Sequence, residues 1–147
     1  MNIDLGDVSH IIQLAIAPVF LLTGVGTNLT VLTNRLGRII DRSRTLEDLL
    51  RIDHQQEHLV ELETLYRRSH LINRAITLST SCGLLVCLVI ATLFLGDALN
   101  LALAKFIAGF FVLAMVALIC SFMYFLREIF IATHSLSRRN VPPPKPK

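Results

Sequence analysis

Lysine and arginine are missing from the first 34 residues of this 147-residue chain. The opening ten residues carry Asp4 and Asp7 and no basic group. They lack the basic region of a secretory signal peptide, so the apolar block behind them is expected to stay in the mature chain. Cysteine is scarce too. Cys82, Cys87 and Cys120 all fall inside apolar stretches. That placement argues against a disulfide framework and metal-type spacing, and reads them as small buried hydrophobes. The sequence has no P-loop, no glycine-rich dinucleotide turn and no nucleophile–base pattern. Neither an enzyme nor a cofactor is expected. Nucleic acid is not an expected partner either: 13 of the 14 basic residues lie outside the apolar blocks, a distribution that in a membrane protein encodes orientation.

What the chain has in excess is apolar sequence. Hydrophobic residues make up 53% of it, with a mean hydropathy of +0.61, against about 45–50% apolar in an ordinary soluble domain. The excess sits in three blocks, at about 11–32, 75–95 and 99–126. The first would rise roughly 33 Å as a helix, enough to cross a hydrocarbon core of about 30 Å. Asp7 or Ser9 is placed to cap it, and Pro18 to kink it. Blocks two and three are separated only by Gly96-Asp97-Ala98-Leu99-Asn100, so they should be antiparallel neighbours. The fold class is therefore all-α: one membrane domain of three transmembrane helices. Arg35, Arg38, Arg42, Arg44, Arg51, Arg67, Arg68 and Arg74 fall between blocks one and two, and Arg127, Arg138, Arg139, Lys145 and Lys147 follow block three. Positive charge stays on the cytoplasmic side. This puts the N-terminus outside, and the Arg-rich stretch and C-terminus inside.

The stretch at about 34–70 is polar yet keeps a helical rhythm. Leu36, Ile39, Ile40, Leu46, Leu49 and Leu50 recur near helical spacing, as do Leu59, Leu62, Leu65 and Tyr66. It contains no proline and one glycine, Gly37. The expected form is a cytoplasmic helical hairpin made by extensions of helices one and two. It would turn near Asp53, which could cap a new helix with Gln56 three residues on. An antiparallel register about that turn sets Arg44 near Glu61 and Arg42 near Glu63. The proline-rich tail at about 140–147 is expected to be disordered.

Several positions stand out as candidate sites. Thr23, Thr27, Thr30 and Asn34 are spaced 4, 3 and 4. They share one face of helix one, either a pore lining or a polar interhelix stripe. Thr77, Thr80 and Ser81 could meet it. Ala75, Ser79, Gly83, Cys87 and Ala91 recur every four residues and suggest a helix-packing face of small residues. Arg35, Arg38, Asp41, Arg42 and Arg44 form a membrane-proximal charge cluster suited to anionic lipid headgroups. His54-Gln55-Gln56-Glu57-His58 fits the H-x-x-E-H pattern of inverted zinc hydrolases. It sits at the hairpin turn, however, in a segment too small to build a substrate cleft, and no metal site is assigned. No Asp or Glu falls deep in an apolar block, which argues against a carboxylate-driven transporter acting alone.

The run Pro18-Val19-Phe20-Leu21-Leu22-Thr23-Gly24, the run Asn34-Arg35-Leu36-Gly37-Arg38-Ile39-Ile40-Asp41-Arg42-Ser43-Arg44 and the run Tyr66-Arg67-Arg68-Ser69-His70-Leu71-Ile72-Asn73-Arg74-Ala75-Ile76 together carry a resemblance. They resemble a family of small bacterial membrane proteins known only as a domain of unknown function. The resemblance implies a bacterial inner-membrane protein, or a thylakoid one in a cyanobacterium, and brings no activity with it. In topology alone the chain is similar to the proton-channel subunits of energy-transducing complexes.

Three short helices bury little by themselves, so self-association as a homo-oligomer is expected. Two functions stay open. One is an ion channel or pore-forming subunit lined by the stripe of helix one. The other is a non-conducting scaffold or adaptor whose hairpin docks a protein partner.

Overall fold

The first helix does not end where hydropathy falls. In the computed structural model, which describes residues 5–52, 56–99 and 103–139, α1 runs Leu5–Ile52, α2 Gln56–Ala98 and α3 Ala104–Arg139. The 48 residues of α1 rise roughly 72 Å, more than twice the thickness of a hydrocarbon core. Nothing after the apolar block stops it. The polar half has no proline and Gly37 as its one glycine, the two strongest helix breakers, and Ser43 and Thr45 satisfy their hydroxyls on carbonyls of their own helix. Pro18 lies inside α1 without ending it. The helix begins ahead of Asp7 and Ser9, so neither holds a capping position. Asp53, His54 and Gln55 lie outside the described residues, and with them the expected cap and part of the His-rich pentad. So do the expected Asn100 turn residue and the tail at 140–147.

The α2–α3 connection falls later than hydropathy places it. Gly96 and Asp97 belong to the last turn of α2, and Leu99 N–H still donates to the Leu95 carbonyl at 3.0 Å. The carbonyl of Leu103 then accepts from Phe106 and Ile107 at 3.0 and 3.1 Å, opening α3.

A heptad repeat organises the packing. On α1, Val25, Leu32, Ile39 and Leu46 are buried at every seventh position, with Pro18 one heptad earlier. On α2 the buried line is Leu65, Ile72, Ala75, Ser79, Cys82, Val86 and Val89. On α3 it is Ala114, Leu118, Ser121 and Glu128. Alternating steps of three and four keep one face toward a partner, as in coiled coils. α2 packs closely against both other helices. Leu32, Ile39, Leu46, Leu65, Ile72 and Ala75 form one core cluster; Val25, Cys82, Val86, Ala114 and Leu118 form the other. The seam thus runs unbroken from the apolar blocks into the hairpin. There Arg42 pairs with Glu61 at 3.0 Å, and the Tyr66 hydroxyl donates to Glu47 at 2.8 Å. Sequence spacing sets Arg42 opposite Glu63; its pairing with Glu61 moves the register by two residues, about half a turn.

The outward faces are apolar at the level of the three blocks. Phe20, Leu84, Phe106, Val112, Ile119 and Met123 are all more than half exposed. Stretches Ile12–Arg51, His58–Gly96 and Ala104–Thr133 are long and apolar enough to cross a membrane.

Candidate functional site

Glu128 is the one carboxylate carried into the seam among the described residues. It stands seven residues after Ser121 and fourteen after Ala114, on the buried line of α3. Its side chain is 0% exposed. Arg68 of α2 donates to its Oε1 through Nε at 3.0 Å and Nη2 at 2.8 Å. Arg35 of α1 brings Nε to 3.4 Å from Oε2. That is an ion-pair distance, and the approach makes no hydrogen bond, so Oε2 has no hydrogen-bond partner among the described residues. The Arg35 guanidinium lies over the Phe125 ring at 5.3 Å. One side chain from each helix therefore meets at a single point, where the apolar blocks give way to the hairpin. Two guanidinium groups against one carboxylate leave the cluster with net positive charge. An isolated buried carboxylate is very costly; here two cations offset that cost.

A second polar junction sits inside the apolar blocks. Asn28, buried on α1, directs Nδ2 to Ser79 Oγ at 3.2 Å and Ser121 Oγ at 3.5 Å. Ser121 Oγ in turn donates to the Ala75 carbonyl at 2.7 Å. Again each helix contributes one side chain. Cross-helix bonds of this kind fix register in an apolar medium.

The residues singled out by pattern fall elsewhere. Thr23, Thr27, Thr30 and Asn34 are all exposed. Each of these positions is two residues from a seam residue of α1, and a two-residue step turns a helix by about 200°. The stripe therefore lies opposite the seam. The three threonine hydroxyls donate to carbonyls four residues back, those of Val19, Thr23 and Gly26. Thr77 and Ser81 do the same on α2, and Thr80 is exposed. No hydrogen bond joins them to the stripe among the described residues.

The every-fourth ladder on α2 divides. Ala75 and Ser79 are buried, while Cys87 and Ala91 are exposed. Gly83 faces α1: an added Cβ would stand 3.5 Å from Val25 and 3.8 Å from Leu22. A step of four overshoots a full turn by about 40°, so the ladder winds off the interface while the heptad line stays on it. The charge cluster divides too. Arg35 turns inward to Glu128 and Arg42 pairs across the hairpin, whereas Arg38, Asp41 and Arg44 are exposed. No group of three His, Cys, Asp or Glu side chains is placed to hold a metal among the described residues.

Asn28, Arg68 and Glu128 escape a reading by composition. The signal that finds them is periodicity: Asn28 lies three residues after Val25 and four before Leu32, and Glu128 continues the 114–121 heptad.

Fold and site together define an integral membrane protein of three helices, tied at two levels by polar side chains drawn from all three. Residues 15–138 match the model of the family described as Protein of unknown function (DUF2721). The chain belongs to that family, and the match takes in all three runs on which the resemblance rests. No curated protein matches the chain, and no solved structure does.

Proposed function

We propose that this chain is a non-conducting membrane scaffold of the bacterial inner membrane, whose hairpin docks a protein partner on the cytoplasmic side. The supporting observation is how the polar side chains on the seam are used. Asn28 donates to both Ser79 and Ser121, and Glu128 is taken by Arg35 and Arg68. They are engaged in holding helices together, and Leu32 and Ile72 fill the seam between. Such a bundle presents its hairpin as a fixed rod and catalyses no reaction. The basic hairpin and the end of α3 set its orientation by charge. Exposed Arg38 and Arg44 lie where anionic headgroups would meet them. Self-association fits the outward face of α1, where Gly24 and Gly26 have nothing within 4 Å of an added Cβ.

The second reading is conduction. It is favoured by the collinear, exposed stripe of Thr23, Thr27, Thr30 and Asn34. Because that stripe faces away from the seam, its path would run between copies. Purified protein in liposomes decides between the two. A scaffold gives ion flux no higher than empty liposomes, and a photo-crosslinker at exposed Arg67 traps one partner in cells. Flux that Thr27→Leu with Asn34→Leu abolishes overturns the scaffold.

A further inference from the structure

We infer that the cleft between α2 and α3 at Arg74 and Tyr124 is a binding site for one anionic phospholipid, with the phosphate on Arg74. The cleft is shallow and lined by Asn73, Arg74, Thr77, Leu78 and Tyr124. Arg74 is exposed, and its guanidinium carbon lies 6.0 Å from the centre of the Tyr124 ring. The ring holds the cation against the α2–α3 boundary while leaving its N–H fork open to a ligand.

Three observations point to a lipid. The first is level. Arg74 immediately precedes the apolar block of α2, and the adjoining Ala75 carbonyl is bonded by Ser121 of α3. The cleft therefore lies at the border where the blocks end, which is where a phosphate layer would stand. The second is polarity. The cleft opens with Asn73 and Arg74 and passes one turn on to Leu78, with the Thr77 hydroxyl bonded to the Asn73 carbonyl. A headgroup and the start of an acyl chain meet that order of surfaces. The third is charge. Glu128, four residues from Tyr124, is fully buried between Arg35 and Arg68 and is unavailable to Arg74. Arg74 makes no ion pair among the described residues, and Arg67 and Arg127 nearby in sequence are exposed. A phosphodiester accepts the paired N–H groups that such an arginine offers.

The inference rests on the headgroup layer lying at the Arg-rich end, as proposed above. It does not depend on whether the protein conducts, so flux or crosslinking results leave it standing. Native mass spectrometry of the detergent-released protein tests it, titrating phosphatidylglycerol, phosphatidylcholine or glycerol phosphate. Wild type should retain one phosphatidylglycerol in preference to phosphatidylcholine. Arg74→Gln should weaken phosphatidylglycerol about fivefold, the scale of one basic residue at a membrane surface. Arg74→Lys should keep most of the binding, and Arg51→Gln, exposed in the last turn of α1, should leave it unchanged. Equal losses for Arg74→Gln and Arg51→Gln overturn the site in favour of diffuse charge. Equal retention of the two lipids also overturns it. So does displacement by glycerol phosphate alone, which would mark a soluble-phosphate site.

Discussion

Replacing Glu128 by Gln tests the three-helix junction most directly. The amide keeps the shape and removes the charge. Two guanidinium groups then share a site with no anion between them. Removing one partner of a buried ion pair costs about 3–5 kcal/mol when the remaining charge is trapped. Here the side chains of Arg35 and Arg68 are 28% and 19% exposed, so each can turn partly toward water. That relief lowers the expected loss to about 2–3 kcal/mol, a factor of roughly 30–150 in the folding equilibrium. The partners should not contribute equally. Arg68 makes two hydrogen bonds to Oε1, at 3.0 and 2.8 Å, while Arg35 stands at 3.4 Å without one. Hydrogen bonds to charged groups are worth about 1.5–3 kcal/mol each. In double-mutant cycles with Glu128→Gln, coupling to Arg68→Gln should exceed coupling to Arg35→Gln by about 1 kcal/mol. Unfolding by added SDS in mixed micelles, followed by helix content, supplies the free energies. A Glu128→Gln protein within about 0.5 kcal/mol of wild type refutes the junction. A larger coupling to Arg35 refutes the geometry assigned to it.

Asn28→Ala should cost about 0.6–1.7 kcal/mol in the same assay, from the average to the largest value typical of interhelical hydrogen bonds in membranes. Thr27→Leu, one residue away but outward-facing, should stay within about 0.5 kcal/mol. Gly83→Ala should be tolerated or gain up to about 1 kcal/mol from helix propensity, since its Cβ would meet Val25 at an ordinary 3.5 Å; Gly83→Phe should separate α1 from α2, read as lost protection of α2 amides. In the hairpin, Leu46 is 0% exposed, and Leu46→Ala should cost about 2–5 kcal/mol.

The spans and the hairpin were legible because their signals are local. Hydropathy marks the blocks, and a stretch of 34–70 without proline lets helix continue through polar sequence. The interior was not legible by polarity alone. A threonine in an apolar medium can satisfy itself by bonding a carbonyl one turn back, so a threonine stripe gives no direction. Asparagine carries a larger polar head, and Asn28 finds it partners on two other helices. Small residues mislead likewise, because every-fourth spacing resembles an interface without following its winding. Glu128 escapes a hydropathy reading because it stands just past the apolar block of α3. Its depth is a matter of register between helices, which a window of hydropathy cannot register.

The continuity of α1 gives the hairpin a mechanical property. About 20 residues of that helix follow the apolar block, roughly 30 Å of rod joined without a hinge to the part that would sit in lipid. Bilayers of different thickness impose different tilts on a spanning helix. With the Glu128 junction holding all three helices at the fulcrum, a tilt of about 10° sweeps the hairpin tip sideways by about 5 Å. A partner gripping that tip would feel bilayer thickness as displacement, with leverage set by the length of the rod.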